Sequence, residues 1–238
     1  MLYRISDKIL KKYPSFFRVV VFAKDINNKK STITELESLL VTQSDLVREQ
    51  GLASLLHPRV KRWVDIYEEC GIDTSQNMPS IYTLINRLQK GKKLSFISPI
   101  VAIMNIISLT YLLPCGGIDA SNVQGDLELG ISKGDEMFWP IGKREKELIP
   151  PGEIIYFDSG NQTVICRSWN SKGGQSTKIL DTTKSVILDL DVIGEITPHN
   201  FVLDAANHMA SLINKYCGGI CSIDTLSYDR PNLIVPDL

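Results

Sequence analysis

The sequence LSFISPIVAIMNIISLTYLLPCGGID fills residues 94–119, and its only charged side chain is at the last position. Ser98 followed by Pro99 is typical of an N-cap and a first helical turn, so we expect a helix from there to about Leu112. About fourteen residues, each rising about 1.5 Å, span roughly 21 Å, whereas a bilayer core needs about 30 Å. The stretch therefore predicts a buried helix in a soluble core and no membrane span.

Two polar side chains interrupt the apolar surface of this helix. Asn105 and Ser108 are three residues apart, which places them on one face. Because buried polar groups need hydrogen-bond partners, they either hold a neighbouring loop or line a pocket. Downstream, the sequence PCGG at 114–117 predicts a loop whose glycines let backbone N–H groups approach a ligand closely. Asp119 can serve the same site or fold back onto its own turn.

The segments before this helix combine one apolar run with several helical patterns. Residues 16–23, FFRVVVFA, predict a buried strand. Thr32 lies three residues before Glu35, the spacing of a capping box, and apolar residues follow at helical intervals. Further helices are expected over 58–70 and 79–89, each ending before a glycine.

Short strands punctuated by glycine and proline follow Gly125. The strand candidates are residues 126–131, 136–141, 153–158, 163–168 and 185–192. The third and fourth are separated by SGNQ, which predicts a hairpin. A last helix is expected from Thr197-Pro198 to about Tyr216, with a possible edge strand at 232–235. Helices first, mixed strands second and a helix last indicate an α+β fold.

The charge balance excludes a protein that coats nucleic acid uniformly, since 26 basic residues face 27 acidic ones and the formal net charge is -1. The charges are unevenly distributed, with a net +6 over residues 1–30 and a net -5 over residues 181–238. A polyanion can therefore approach one face. The candidate RNA-binding residues are Lys11, Lys12, Arg87, Lys90, Lys92 and Lys93. The alternative is a solvated surface whose cations complement helix C-termini.

The cysteines and histidines form no recognisable motif. Five cysteines without paired spacing predict neither a disulfide framework nor a zinc site. His57, His199 and His208 are isolated from one another, so we expect no metal and no cofactor. Cys115 is a candidate nucleophile without an identifiable histidine base. The N-terminal sequence lacks an apolar signal region, which favours a cytoplasmic location with reduced thiols.

Arg167, Trp169 and Asn170 bring a cation, a stacking ring and an amide together at the end of the predicted hairpin. Side chains of this kind near a Gly-Gly loop suit a small-ligand pocket. A surface arginine and a core tryptophan are the alternative interpretation of the same residues.

Residues 105–142, NIISLTYLLPCGGIDASNVQGDLELGISKGDEMFWPIG, resemble the tRNA-editing domain of the phenylalanyl-tRNA synthetase β subunit, the B-three/B-four domain. The likeness to freestanding relatives of that domain is greater. It extends over roughly residues 75–195 through PGEIIYFD at 151–158, VICRSWN at 164–170 and TTKSVILDLD at 182–191. The family's Asn, Pro, His and Asp, at fixed offsets, fall on Asn105, Pro114, Gly116 and Asp119.

Three positions depart from the family's site: Met104 stands for a threonine, Gly116 for the histidine and Asp189 for a glutamate. We interpret these changes as altered specificity. The resemblance implies an α+β fold with mixed and antiparallel sheets in an unusual β-sandwich-like core with flanking helices. It also implies a single domain over 1–238, with a helical N-terminal extension over 1–74 and a C-terminal helix and tail over 196–238.

The same resemblance implies a hydrolase that deacylates mischarged aminoacyl-tRNA at its 3′ ester in trans, with tRNA as partner. Such an ester is already activated, so a site needs only to orient water and stabilise an oxyanion. The implied catalytic residues are Asn105, Gly116, Gly117 and Asp189, and the implied substrate-binding residues are Ser108, Asp119, Arg167, Trp169 and Asn170.

In this scheme Asp189 contacts the α-amino group or water, and Arg167 contacts the terminal adenosine or the amino-acid carbonyl. Asn105 fixes the loop or holds water, and Gly116 and Gly117 offer their backbone to the substrate. Two alternatives stay open. One is a non-catalytic module that binds RNA or an amino acid on the same fold, and the other is a thiol enzyme that uses Cys115.

Overall fold

Strands and helices alternate irregularly in the computed structural model, which describes residues 1–29 and 34–237. The helices, in chain order, are α1 (Asp7–Lys12), α2 (Thr34–Glu49), α3 (Leu52–Leu55), α4 (Pro58–Glu69), α5 (Ser80–Gln89), α6 (Pro99–Tyr111) and α7 (His199–Tyr216). The strands are β1 (Leu2–Ile5), β2 (Phe16–Lys24), β3 (Cys115–Asp119), β4 (Leu127–Ile131), β5 (Met137–Phe138), β6 (Glu147–Leu148), β7 (Ile154–Asp158), β8 (Thr163–Arg167), β9 (Lys172–Gly173), β10 (Val186–Ile193), β11 (Ile220–Leu226) and β12 (Asn232–Ile234).

The strands form two sheets. The smaller sheet has four strands in the order β11-β2-β10-β3 and is antiparallel throughout. The larger sheet has eight strands in the order β12-β1-β4-β7-β8-β5-β6, with β9 also paired to β8. It is mixed, because β1 runs parallel to β4 and β5 runs parallel to β8. The predicted α+β class with mixed and antiparallel sheets is confirmed.

The smaller sheet is buried on both faces. On one face of β2, Val19 and Val21 join a core formed with α2, α6 and α7. On the other face, Val20 and Phe22 join a core shared with the larger sheet. Since successive residues of a strand point to opposite faces, the smaller sheet is a middle layer between the helices and the larger sheet. This explains the continuous apolar run at 16–23 and confirms the buried strand predicted there.

Helix α6 begins where its sequence predicts. The hydroxyl of Ser98 caps it by accepting the N–H of Val101 at 3.5 Å. Asn28, which sequence analysis did not single out, reinforces this start. Its buried side chain accepts the N–H of Ile100 at 2.9 Å and donates to the carbonyl of Leu180 at 2.6 Å. No helix within 1–29 or 34–237 is long and apolar enough to cross a membrane.

Several other elements also agree with the sequence. Helices α4 and α5, the hairpin of β7 and β8, helix α7 and the edge strand β12 are present within a few residues of their predicted bounds. The predicted strand at 136–141 is reduced to Met137–Phe138. The capping residue Thr32 lies outside the described residues, and the helix that follows is described from Thr34.

The structure corrects three predictions. The loop expected around Gly116 and Gly117 is instead strand β3, because β10 supplies a hydrogen-bonding edge to residues that have little strand preference of their own. The N-terminal extension over 1–74 is not simply helical, since β1 pairs in the larger sheet and β2 lies inside the smaller one. Strand β11, next to β2, was not predicted, because its residues follow the helix-terminating Gly218 and Gly219 and alternate only weakly.

A buried carboxylate fixes the connection between β3 and β4 onto the end of β7. Asp158 accepts the N–H groups of Gly125 and Gly160 at 2.9 Å each and that of Gln124 at 3.0 Å.

We expect Asp158→Ala to lower the free energy of unfolding by about 2 kcal/mol, because three donors lose their acceptor. Urea denaturation measures this change. The matched control Asp229→Ala removes an exposed carboxylate, and an equal loss in both variants would contradict the assignment.

Candidate active site between the two sheets

A cavity of about 390 Å³ lies between the two sheets. Its size falls within the range of roughly 300–1,000 Å³ that is usual for small-molecule sites. The smaller sheet contributes Arg18, Cys115, Gly116, Gly117, Ile118, Asp189 and Asp191, and the larger sheet contributes Tyr156, Ile165 and Cys166. Val101 and Met104 of α6 and the loop that follows β8 complete an otherwise mainly apolar wall.

The polar part of the cavity is built on β10 and β2. Asp189 and Asp191 alternate with Leu190, which packs on the helical side, so both carboxylates face the larger sheet. Arg18 is directly opposite Asp191 in the antiparallel register. Its Nε lies 2.6 Å from Asp191 Oδ1 and its Nη2 lies 3.1 Å from Oδ2. The two contacts make the ion pair bidentate. It is also an internal pair, because both side chains are almost fully buried.

Asp189 is less completely paired than Asp191. Tyr3 donates its hydroxyl hydrogen to Asp189 Oδ1 at 2.9 Å, and Arg18 in turn donates to the Tyr3 hydroxyl oxygen. Oδ2 of Asp189 lies 3.9 Å from Arg18 Nη1, beyond hydrogen-bond distance. Burial raises the pKa of Asp189 to about 6, helped by the neighbouring Asp191 charge and opposed by Arg18. The charge of Asp189 therefore changes within about a pH unit of neutrality.

The loop after β8 covers this cluster. Asn170 donates from Nδ2 to Asp191 Oδ2 at 3.1 Å, while its Oδ1 lies 2.8 Å from the hydroxyl of Tyr67. Trp169 is buried among aromatic rings, with centroids 5.1 Å from Phe16 and 5.2 Å from Trp63. Trp169 belongs to the core, as the alternative interpretation has it, and it also lines the cavity.

The two glycines of β3 have different surroundings. Gly116 is opposite Asp189, and a Cβ atom added to it would meet nothing within 4 Å. A Cβ on Gly117 would lie 2.6 Å from Leu188 Cδ2 and 2.8 Å from Met104 Sδ. Gly116 therefore leaves open space beside the carboxylate, whereas Gly117 permits close packing of β3 on α6.

The free edge of β3 also borders the cavity. Asp119 directs its N–H away from β10, to the carbonyl of Thr177 at 2.9 Å. Strand alternation places the N–H of Gly117 on the same side. Within the ranges 1–29 and 34–237 this N–H has no hydrogen-bond partner, so it is available to a ligand.

Of the nine predicted catalytic and substrate-binding residues, four do not line the cavity: Asn105, Ser108, Asp119 and Arg167. Asn105 lies on α6 next to Met104, which does line it. Ser108 donates to the carbonyl of Leu113 at 2.6 Å and so holds the turn after α6. Asp119 accepts from the Ser121 hydroxyl and from Thr183 Oγ1, each at 2.6 Å, and stabilises its own turn. The contacts of Ser108 and Asp119 are therefore those of residues that hold a turn, which was one of the two alternatives for each.

Arg167 lies outside the cavity, although its two neighbours on β8 line it. A register shift between β7 and β8 lets both Ile165 and Cys166 face the cavity, and the next side chain, Arg167, points to the opposite face. Arg167 pairs there with Glu153 at 2.8 Å and Glu147 at 2.7 Å. It lines a second cavity of about 400 Å³, which shares no residue with the first. The expected cluster of Arg167 with Trp169 and Asn170 is therefore not formed.

The basic residues predicted to contact RNA also lie away from the cavity. Lys11 and Lys12 are exposed on α1, where Lys12 borders the second cavity and reaches the Glu69 carbonyl at 3.3 Å. Arg87, Lys90, Lys92 and Lys93 are exposed around the end of α5. None of the six residues lines the cavity between the sheets.

Cys115 lines the cavity but lacks the environment of an activated thiol. Burial raises its pKa well above the ordinary value, and the charges of Asp189 and Asp191 act in the same direction. None of the three histidines in the described part of the chain lines the cavity. In the same ranges, no group of three or more His, Cys, Asp or Glu side chains is placed to hold a metal ion.

Sequence analysis missed Tyr3, Arg18, Tyr156 and Asp191 as members of the site. Two signals were present. Arg18 interrupts the apolar run FFRVVVFA, and Asp189 and Asp191 recur at a spacing of two within VILDLDVI. A charge inside a buried strand requires a partner of opposite sign. The two aspartates, two residues apart on another apolar strand, are candidates for the partner of Arg18.

The sequence model of the B3/4 domain family matches residues 62–218, well over half of the chain. This chain belongs to the B3/4 domain family. The fold is similar to that of an N-terminal fragment of the phenylalanyl-tRNA synthetase β-subunit from Pyrococcus horikoshii, with a TM-score of 0.50 and 12% sequence identity. That match covers 92% of this chain and 49% of the fragment, so the chain spans about half the fragment's length. A comparison with curated proteins finds no match.

The B3/4 domain match confirms the family resemblance that the sequence predicts. It also extends the recognisable core beyond 75–195 at both ends, to include most of α4 and all of α7. Strands β1 and β2 lie before the matched residues, yet they supply Tyr3 and Arg18 to the cavity cluster.

The two glycines provide a matched pair of variants of this B3/4 domain protein. We expect Gly117→Ala to lower the free energy of unfolding by about 1–3 kcal/mol, because its Cβ overlaps Leu188 and Met104. Gly116→Ala is expected to change it by less than about 0.5 kcal/mol. Thermal or urea unfolding of both variants tests the difference. Equal stability of the two would contradict the packing role of Gly117.

Proposed function

We propose that this B3/4 domain protein hydrolyses the ester bond between a mischarged amino acid and the 3′-terminal adenosine of tRNA, acting in trans. One observation carries the proposal. The cavity holds a buried carboxylate, Asp189, with one oxygen outside hydrogen-bond distance of Arg18 and with open space beside it at Gly116.

The chemistry requires few groups because an aminoacyl ester is already reactive. Water attacks the ester carbonyl, and the 3′ oxygen of the adenosine leaves with a proton. In the proposed site, Asp189 accepts a hydrogen bond from the attacking water and takes its proton, or holds the α-ammonium group. The free N–H of Gly117 donates to the developing oxyanion. The apolar wall, which includes Met104, Ile165 and Ile179, fits an uncharged amino-acid side chain.

Asp191 has a positioning role in this scheme. Its two oxygens are occupied by Arg18 and Asn170, so it has little capacity to bind substrate. Its negative charge favours the protonated form of Asp189, and the Arg18 charge opposes that effect. Burial has the largest effect on the pKa of Asp189, and the pair modifies that effect and holds Asn170 over the cavity.

Deacylation of a panel of mischarged tRNAs tests the proposal. We expect wild-type protein to release amino acid from at least one of them. Asp189→Asn should lower kcat/KM by roughly 10²- to 10⁴-fold, the usual contribution of a general base. Cys115→Ala should leave the rate unchanged, because the thiol is not activated. The control Asp229→Asn removes an exposed carboxylate and should also have no effect.

Each alternative predicts a different result in the same assay. Binding of aminoacyl-tRNA without release of amino acid would support a non-catalytic module. Loss of turnover in Cys115→Ala would support a thiol enzyme. Wild-type activity in a folded Asp189→Asn variant would remove the carboxylate from the mechanism.

The raised pKa of Asp189 predicts the pH dependence of the reaction. Only the ionised carboxylate accepts a proton, so kcat/KM should rise with pH and level off above about pH 6. Once the uncatalysed rate is subtracted, the kcat/KM of the Asp189→Asn variant should no longer rise with pH around this value.

The stability of the folded protein should change with pH in the opposite direction. Because the folded protein binds this proton more tightly than the unfolded chain, the contribution of Asp189 to the free energy of unfolding should fall between about pH 4 and pH 6.

A further inference from the structure

The cavity opens to solvent between the residues just before α6 and two loops, one between β5 and β6 and the other after β8. Ile97 and Ile141 are the most exposed apolar residues among those that line it, at 57% and 48%. Ile141 belongs to the loop 139–146, WPIGKREK, and the residues after Asn170 form the second loop, 170–178, NSKGGQSTK. These two loops therefore form one side of the cavity mouth.

Backbone contacts hold the two loops together. Pro140 and Gly174 form an antiparallel bridge. Gln175 donates its N–H to the carbonyl of Trp139 at 2.7 Å and accepts the N–H of Gly142 through Oε1 at 3.2 Å. The backbones of the two loops are consequently held together at the cavity mouth.

The two loops carry a concentration of positive charge, which we call the basic rim. Its members are Lys143, Arg144, Lys146 and Lys178. Lys172 is also on the second loop, but it is directly opposite Arg167 across β8 and β9 and therefore lies on the face that points away from the cavity. With Glu145 as the only acidic residue, the two loops have a net charge of +4, although the whole chain is at -1. Lys178 lines the cavity itself, and Lys143, Arg144 and Lys146 are exposed.

The cations of the basic rim form no ion pairs within the described ranges. They differ in this from Arg167, which is held by two glutamates. The half-buried Trp139 adds an aromatic face, with Lys146 Nζ 6.0 Å from its ring centroid. Unpaired cations beside an aromatic ring are typical of surfaces that bind single-stranded nucleic acid.

We propose that the basic rim binds the phosphates of the 3′ acceptor end of tRNA. This inference rests on the proposed function. If the terminal nucleotide places its ester in the cavity, the phosphates directly before it must lie at the mouth, since the chain is covalent. The basic rim is at this place, whereas Lys12 borders the other cavity. Neither Lys11 nor the basic residues around Lys90 line either cavity. An acidic protein is the competing partner for the same charge.

The test compares two triple variants of the full chain. Lys143→Gln/Arg144→Gln/Lys146→Gln neutralises part of the basic rim, and Lys90→Gln/Lys92→Gln/Lys93→Gln is the control with an equal charge change. Binding of uncharged tRNA is measured from low to high salt. The rim variant should bind about tenfold or more weakly, and its salt slope should fall by about two, as expected for three lost phosphate contacts. Lys172→Gln removes an exposed cation on the face away from the cavity, so it should leave the salt slope unchanged.

A second substrate separates binding of the polyanion from chemistry in the cavity. An aminoacyl ester of adenosine alone carries no phosphate, so the rim variant should hydrolyse it at the wild-type rate. With mischarged tRNA, the kcat/KM of the same variant should fall about tenfold or more. If the wild-type protein hydrolyses neither ester, the proposed function fails, while the tRNA-binding measurement still decides the role of the basic rim.

Three results would overturn the basic rim as a tRNA contact. One is an unchanged affinity and salt slope in the rim variant, and another is an equal loss in the control variant. The third is tighter binding of polyglutamate than of tRNA by the wild-type protein, which would favour an acidic protein partner. Circular dichroism and urea unfolding should give wild-type values for all variants, because the substituted side chains are exposed.

Discussion

The ion pair of Arg18 with Asp191 is the constraint on which the space between the sheets depends. Removing two charges from water costs several kcal/mol per ion, and good geometry and further hydrogen bonds must offset that cost. Both conditions are met, by the bidentate contact and by Tyr3 and Asn170. The pair thereby connects β2 and β10 with β1 and the loop after β8. An apolar core alone would favour closure of this region, so the polar cluster helps to keep a cavity within the β-sandwich.

The same interaction gives the two neighbouring carboxylates different properties. Asp191 receives the guanidinium directly, whereas Asp189 receives a phenol hydroxyl and a cation at 3.9 Å. Favourable contacts therefore offset the burial of the ionised Asp189 only in part, and burial raises its pKa to about 6. Two carboxyl groups two residues apart on one strand can in this way divide their tasks. Asp191 binds Arg18 and Asn170 and so connects the surrounding elements, whereas Asp189 keeps one oxygen outside hydrogen-bond distance of Arg18.

The sequence predicted the elements whose signals are local, and it missed those that depend on distant partners. Helix α6 carries its own cap at Ser98, and β2 has enough apolar residues to indicate burial on both faces. Strand β3 contains two adjacent glycines, and only its pairing with β10, about seventy residues later in the chain, makes it a strand. Arg167 illustrates the same limit, because the face of β8 on which it lies depends on the register. The partner of Arg18 likewise depends on the alignment of β2 with β10.

Gly116 connects the family relationship with the geometry of the cavity. The resemblance places this residue where the editing domain has a histidine, and the structure places it opposite Asp189 with open space above its Cα. A histidine at this position would project into the space beside the carboxylate. Loss of that side chain therefore enlarges the volume next to Asp189 and leaves a carboxyl group, rather than an imidazole, as the titratable group at that point. The departures at Gly116 and Asp189 are thus adjacent in space, because the glycine leaves open the room beside the carboxyl group of Asp189.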